Sequence, residues 1–346
     1  MSRLRTSHAF GWASKLRALV GGCWQRQGPR RSFKIIDSEF RIELESLLRR
    51  GEIQRFEKLA RHRCDLYGMR GNAAWQRRVA RAQLKENSGF ADIYLYHRDG
   101  FIREEALRSI EVLDGPIAAF GLLARLNDWV PEVRDAASAT LARCFSTSSG
   151  DVLAPAVWAF LTKRHLWNRW SGGYEPFVED VVKHCGLVDA LSVMLLGVSR
   201  KGASRVFRVL SRSPAFDTHL TAIASDAHEP HLRAAALTCL SKARVIWPLA
   251  IRKKVWMDGP MGKPVWREAF GSRPLTAEPD LIAAIANGLC DRSVLVRNAA
   301  IDALILHRDN AKFRPLIAKS IKEPEAEPRP STRMRLQYLA RQVTLD

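Results

Sequence analysis

The chain has 346 residues, of which 47% are hydrophobic and 26% are charged, a composition typical of a folded protein. Its 55 lysines and arginines outnumber 36 acidic residues and give a formal net charge of +19, which favours acidic proteins, nucleic-acid backbones or anionic lipid surfaces as partners. No run approaches the roughly 20 apolar residues that cross a bilayer, which argues against an integral membrane protein. The six cysteines lie singly along the chain, as is typical of reduced thiols in a cytoplasmic protein.

The first 36 residues form a basic segment with eight lysines and arginines and no acidic residue. Three interpretations are open: a disordered basic arm, an amphipathic helix that lies on a membrane surface, and an organelle transit peptide. Peripheral contact with an anionic membrane through residues 1–36 is therefore one of the interactions that the sequence allows.

Residues 37–90 are predicted to form a helical N-terminal cap. The first helix is expected to start near Ser38 and to end at Gly51, and two further helices are expected at about 52–65 and 72–86. Terminal units of a repeat array need a more polar outer face. We therefore interpret this segment as the cap of an array in residues 91–346.

A repeated pattern runs through residues 91–346. Each copy has an arginine that follows an apolar residue, an alanine three positions later and a large apolar residue seven positions later, and these offsets lie on one face of a helix. The arginines are Arg103, Arg134, Arg233 and Arg297. An aspartate precedes each arginine by four to seven residues, where it is expected to accept hydrogen bonds from the free amides of a helix start; these aspartates are Asp99, Asp128, Asp226 and Asp291.

The spacing of the copies predicts the number of units. The four arginines are 31, 99 and 64 residues apart, close to one, three and two units of about 32. Unit positions that lack the strict pattern then fall near residues 167, 200 and 265. Arg200 is a degenerate copy in this interpretation, and the pattern fails near 167 and 265.

This arrangement of Asp, Arg, Ala and Leu resembles the HEAT repeat family, specifically its short bacterial form related to the phycobilisome-lyase type. The resemblance covers roughly residues 90–345. It implies an all-α fold, a right-handed α-solenoid of stacked helical hairpins, and it says little about function.

Two segments that interleave cations with aromatic residues are the candidate binding sites. The first contains Trp167, Arg169 and Trp170, and the second contains Lys253, Lys254, Trp256, Lys263, Trp266 and Arg267. Such segments suit single-stranded or flipped nucleotides, because phosphates meet the cations while bases stack on the rings. The alternative is that the tryptophans fill the core and their basic neighbours face solvent. Both segments fall where the repeat pattern fails, which is a mild indication of function.

The sequence favours a non-catalytic scaffold that engages an acidic protein or peptide through a concave surface made by the second helix of each hairpin. Nucleic-acid binding is the alternative. Some HEAT-like proteins that this chain resembles in size and basic charge are DNA glycosylases that act on alkylated bases, so such an enzyme is included in this alternative. No aspartate or glutamate aligns with a glycosylase motif, so no catalytic residue is assigned. No cofactor or metal is expected, because His228 and His231 lack a convincing fourth ligand.

The two functions differ in where the basic residues gather. If the repeat arginines bind the aspartate-containing turns of neighbouring units, they form an internal ladder and leave little positive field. If the cations and tryptophans of the two segments instead converge on one concave face, nucleic-acid binding is favoured.

Overall fold

The computed structural model describes residues 38–66, 72–163, 168–197, 200–258, 262–276, 278–322 and 327–343. The chain divides into residues 1–38 and 39–346, and the description concerns the second unit. The predicted arm, membrane helix or transit peptide at residues 1–36 lies outside the described residues, as does Trp167.

The three helices expected upstream are present. They are α1 (Ser38–Arg50), α2 (Ile53–Leu66) and α3 (Ala73–Glu86). Gly51 follows α1 with a φ of +72°, a left-handed conformation that glycine adopts without a steric penalty and that commonly ends helices. Asn72 caps α3, because its side chain accepts a hydrogen bond from the amide of Trp75.

The remaining helices follow in pairs along the chain. They are α4 (Ala91–Tyr94), α5 (Gly100–Ser109), α6 (Pro116–Arg125), α7 (Pro131–Cys144), α8 (Gly150–Thr162), α9 (Tyr174–Lys183), α10 (Cys185–Leu196), α11 (Ala203–Leu210), α12 (Leu220–Asp226), α13 (Pro230–Ser241), α14 (Leu281–Leu289), α15 (Val294–Leu306), α16 (Arg314–Ser320) and α17 (Pro330–Val343). Several begin with proline, whose missing N–H is unused in a first helical turn.

The helices pack in two layers. In one layer α2, α4, α6, α8, α10, α12 and α14 contact one another in that order. In the other layer α3 contacts α5 and α5 contacts α7, and the series α9, α11, α13, α15 and α17 continues in the same way. The buried core includes Phe56, which makes edge-to-face contacts with Tyr96 and Phe120 at centroid distances of 5.4 and 5.2 Å. The fold is thus a mostly helical stack of hairpins.

A β-hairpin corrects the all-α prediction. Strands β1 (Arg244–Asp258) and β2 (Lys263–Pro274) pair antiparallel between α13 and α14. The prediction of two helical units between Arg233 and Arg297 is therefore wrong. The hairpin segment from Arg244 to Pro274 has 31 residues, and without it the spacing of 64 falls to 33, which is one helical unit. The irregular position near residue 167, in contrast, belongs to a helical pair, α8 and α9.

A buried carboxyl group connects α1 to α4. The Arg41 guanidinium lies 3.1 Å from Asp92 Oδ2, but burial, reinforced by Asp114, raises the pKa of Asp92 to about 6. Because the folded pKa lies above the ordinary value, the contribution of Asp92 to stability is fully present below about pH 4. It is lost as the pH rises through 6.

We expect Asp92→Asn to remove this pH dependence. At pH 8 the variant should be more stable than the wild type, by on the order of 2 kcal/mol, and at pH 4 the difference should vanish. Urea unfolding of both proteins at the two pH values measures this. A variant that is less stable at pH 8 would show that the charge on Asp92 is needed for its contact with Arg41.

Among the described residues, no helix combines the length and the apolar character that crossing a membrane requires.

Candidate functional site

The repeat arginines bind the turn that precedes their own helix. Each guanidinium donates from Nη1 to the backbone carbonyl six residues earlier: Arg103 to His97, Arg134 to Asp128, Arg233 to Ala227 and Arg297 to Asp291, at 2.7–3.0 Å. These carbonyls belong to the turn ahead of the helix and take no part in its hydrogen bonding, so the arginine satisfies them. The six-residue spacing between the turn carbonyl and the arginine, which recurs in all four units, is therefore explained by this hydrogen bond.

Three of these arginines also bind an acidic residue of the next described turn along the stack. Arg103 makes a two-bond contact with Asp128 (2.9 and 2.7 Å), and Arg233 makes the same contact with Asp291 (2.7 and 2.8 Å). Arg297 lies 3.1 Å from Glu327. We call this series the arginine ladder. Planar two-bond contacts of this kind fix the geometry of both partners, so the ladder holds successive helical pairs in register.

The predicted aspartates divide into two groups. Asp99, Asp128 and Asp291 each accept a hydrogen bond from the amide two residues later, at 2.7–3.0 Å, as expected for the start of a helix. Asp226 does not follow this prediction, because it is the exposed last residue of α12 and the residue that precedes α13 is Glu229. The turn bound by Arg233 starts one residue later, at Ala227.

Arg200 is not a degenerate copy of the ladder arginines. It lies ahead of α11, and its Nη1 donates to the carbonyl of Arg49 at 3.2 Å. Its guanidinium lies 5.8 Å from the centre of the Trp158 ring. Burial, together with Arg49, lowers the pKa of Arg200. The residue joins α1 to the stack rather than one unit to the next.

Trp170 of the first aromatic segment packs against neighbouring aromatic side chains. The Trp170 ring makes edge contacts with Phe160 and Phe177 at centroid distances of 5.5 and 5.6 Å. The backbone amide of Arg169 donates to the Asn127 side chain at 2.8 Å, while the Arg169 side chain is exposed. Trp170 is therefore half-buried against two core phenylalanines, with a basic neighbour in solvent.

The second aromatic segment forms the β-hairpin, and its root is anchored by a network that the sequence did not reveal. Asp217 is buried and accepts two hydrogen bonds from Arg273 (2.8 and 2.7 Å) and two from Thr276 (2.8 Å each). Arg273 also donates to the carbonyls of Ser211 and Ser213. These bonds join β2 to the turn after α11, so the hairpin leaves the helices in a fixed direction.

Beyond the root, both faces of the hairpin are exposed. Residues 252–256 of β1 and 265–268 of β2 are all exposed. In an antiparallel pair, residues directly opposite one another share a face and successive residues alternate. The register therefore assigns each side chain of this ribbon to one of two faces.

The first face, which we call the tryptophan face, carries the aromatic residues. Lys254 lies opposite Trp266, and Trp256 lies two residues further along β1 on the same face. The Lys254 ammonium lies 4.5 Å from the centre of the Trp256 ring, within the range of a cation–π interaction. Arg252, opposite Glu268, continues this face towards the root.

The second face, which we call the valine face, is aliphatic and basic. Val255 lies opposite Val265, and next to this pair Lys253 lies opposite Arg267. A shallow groove is lined by Lys253, Val255 and Arg267 of this face and also by Arg252, Trp266 and Glu268 of the tryptophan face. In the strand register Lys263 lies opposite Asp258 near the turn of the hairpin. The structure thus places Lys254 and both described tryptophans of this segment on one face, and Lys253 and Arg267 on the other.

Comparison with known proteins gives one family match. Residues 275–304 match the model of a HEAT repeat associated with sister chromatid cohesion. This segment resembles a HEAT repeat. No curated protein and no solved structure matches the chain significantly.

The HEAT match covers α14 and most of α15, the pair that follows the hairpin. It includes Asp291 and Arg297, the residues that carry the ladder contacts in this unit. The same two contacts recur at Asp128. Its carboxylate binds Arg103 of the preceding unit, and its backbone carbonyl accepts a hydrogen bond from Arg134 of its own unit. The contact pattern of the matched segment therefore recurs in one unit outside the matched residues.

Proposed function

We propose that the protein is a non-catalytic HEAT-repeat scaffold that binds an acidic protein or peptide. In this proposal the helical pairs form a right-handed α-solenoid of the short phycobilisome-lyase type, and the second helices line its concave surface. The observation that carries the proposal is the exposed valine face of the hairpin, which presents cations around an aliphatic centre on a fixed root.

The arginine ladder supports a scaffold because it uses the most regular basic residues internally. Arg103 and Arg233 are buried, and their guanidinium groups are occupied by carbonyls and carboxylates of the turns. A ladder of this kind stiffens the stack but offers no positive field to a ligand. The cations that remain for a partner therefore lie elsewhere. The hairpin has seven basic residues against two acidic ones between Arg244 and Pro274, and one of the seven, Arg273, is used at the root.

The composition of the valine face fits an acidic peptide with some apolar side chains. Lys253 and Arg267 lie directly opposite each other on this face. Acidic side chains of a partner would approach these cations, and apolar side chains of the same partner would cover the Val255–Val265 pair. Attraction between opposite charges would speed the encounter and select the partner.

The proposal is tested with a fluorescein-labelled 20-residue polyglutamate peptide and the full chain. We expect the double variant Lys253→Glu, Arg267→Glu to bind the peptide at least tenfold more weakly than the wild type in fluorescence anisotropy at 100 mM salt. The physical reason is that the substitution replaces attraction by repulsion at the proposed contact.

The matched control is Lys312→Glu, Lys319→Glu, which makes the same change of net charge with two exposed lysines outside the hairpin. It should bind within about twofold of the wild type. Equal losses in both variants would mean that the peptide responds to overall charge only, and a wild-type protein that does not bind the peptide would refute the acidic-partner proposal.

A further inference from the structure

The tryptophan face of the hairpin carries two exposed indole rings, which the proposed contact with an acidic peptide does not use. Trp256 and Trp266 are 56% and 61% exposed, although tryptophan is among the residues that gain most from burial. Two such rings on one face form an apolar patch of the kind that marks an interaction site. The patch is on the face opposite the valine face, so it needs an explanation of its own.

We propose that the tryptophan face binds single-stranded nucleic acid, with bases stacked on Trp256 and Trp266 and phosphates next to Lys254 and Arg252. This activity goes beyond the proposed scaffold function, because it uses the other face of the hairpin and a different class of ligand.

The spacing of the two rings suits neighbouring bases of one strand. Trp256 lies opposite Pro264, so Trp266 is its diagonal neighbour across the ribbon. Diagonal positions of an antiparallel pair are about 7–8 Å apart, within reach of large aromatic side chains. One strand can therefore contact both rings without leaving the face.

The cations are placed where the backbone of such a strand would run. Lys254 lies directly opposite Trp266 in the register, and its ammonium is 4.5 Å from the centre of the Trp256 ring. Arg252 lies on the same face, one step closer to the root. Rings for the bases combined with cations for the phosphates are the arrangement that binds single strands with little sequence preference.

The exposed rings favour a single strand over a duplex. Paired bases hide their flat faces in the stack, so a duplex would offer phosphates to Lys254 and Arg252 but no surface to the tryptophans. A two-stranded ribbon can enter the major groove of a duplex, but readout there uses hydrogen bonds to base edges. Indole rings are poor at such readout, whereas every unpaired base has a face on which to stack.

The test measures binding of the full chain to a labelled 20-nucleotide oligothymidylate and to a labelled 20-base-pair duplex, by fluorescence anisotropy between 50 and 300 mM salt. We expect the wild type to bind the single strand more tightly than the duplex at every salt concentration. The double variant Trp256→Ala, Trp266→Ala should bind the single strand at least tenfold more weakly. Its duplex binding should change by less than twofold.

Two controls separate stacking from other effects. Trp129→Ala removes a tryptophan that is 70% exposed but lies in the turn before α7, and it should leave single-strand binding unchanged. Trp256→Phe, Trp266→Phe keeps flat rings and should retain most of the affinity. Lys254→Ala should instead reduce the dependence of affinity on salt, because one phosphate contact is lost.

Three results would overturn the proposal. The first is equal binding of the single strand by the wild type and the double alanine variant, which would assign binding to other basic residues. The second is a loss of equal size in Trp129→Ala. The third is a polyglutamate peptide that loses affinity to the same degree in the double alanine variant, which would assign the tryptophan face to a protein partner. The charge-reversal variant of the valine face tests the scaffold function independently of these outcomes.

Discussion

Replacement of Asp128 by alanine is expected to lower the free energy of unfolding by about 3–5 kcal/mol, the range found when one partner of a buried ion pair is removed. Asp128 lies between two guanidinium groups, and its carboxylate contacts Arg103 at 2.7 Å and Arg125 at 3.0 Å. Its side chain and that of Arg103 are only 1% and 3% exposed. The variant would therefore leave two cations buried without their shared counter-ion.

The pH dependence of this effect has a definite sign. Burial alone would raise the pKa of Asp128, but hydrogen bonds from Arg103 and from the Val130 amide outweigh it, and the net shift of the pKa is downward. The stabilisation is therefore present above the ordinary pKa of about 4 and is lost as the pH falls through the folded value. Urea unfolding at pH 7 and at successively lower pH values, followed by circular dichroism, should show a difference between wild type and variant that shrinks as the pH falls below about 4.

Asp226→Ala is the matched control for this experiment. The sequence pattern gives Asp226 the same role as Asp128, but the side chain is exposed at the end of α12. We expect its removal to change stability by less than about 0.5 kcal/mol, as is usual for surface substitutions. If both variants lost the same stability, the assignment of a structural role to Asp128 and not to Asp226 would be wrong.

The second large effect is expected at the root of the hairpin. Asp217→Ala removes the acceptor of four hydrogen bonds and leaves the Arg273 guanidinium, which is 14% exposed, without its carboxylate. We expect a loss of about 3–5 kcal/mol if the whole molecule depends on the root. If the hairpin detaches locally, we expect faster hydrogen exchange confined to residues 244–276.

Exchange measured by mass spectrometry distinguishes these two forms of the effect. Glu268→Ala serves as the control, because Glu268 is exposed and lies opposite Arg252 in the middle of the ribbon. It should leave exchange at the root unchanged. An Asp217→Ala protein with wild-type stability and exchange would show that the strand pairing alone holds the hairpin in place.

The helices were predictable because their signals are local. Pro131 and Arg134 both act within one turn and helix, and Gly51 ends α1 through its own backbone conformation. For the arginine ladder, the sequence predicted the type of contact but not the individual partners. Spacing indicates that an arginine can meet the next turn, but it does not identify Glu327 as the partner of Arg297 or show that Asp226 is displaced from its turn.

The hairpin was not predicted because its strands lack the usual signal. A half-buried strand alternates apolar and polar residues, whereas this ribbon exposes both faces and mixes cations with apolar side chains on each. The glycines and proline between Trp256 and Lys263 were a turn signal in the sequence, but the spacing of 64 residues was explained equally well by two helical units. The root network joins residues 56 positions apart, and no periodic pattern reports such a contact.

The way the hairpin joins the helices makes it an exchangeable insert. Its two ends meet at the root, where the amide of Leu275 donates to the carbonyl of Ala243 at 3.0 Å. Arg233 and Asp291, on either side of the insert in sequence, still form their ladder contact across 58 residues of chain. Because the ends are adjacent, a ribbon of different length or composition closes at little additional entropic cost. The stack of helices can therefore keep its geometry while the surface that it presents changes, so specificity and architecture can vary independently in this molecule.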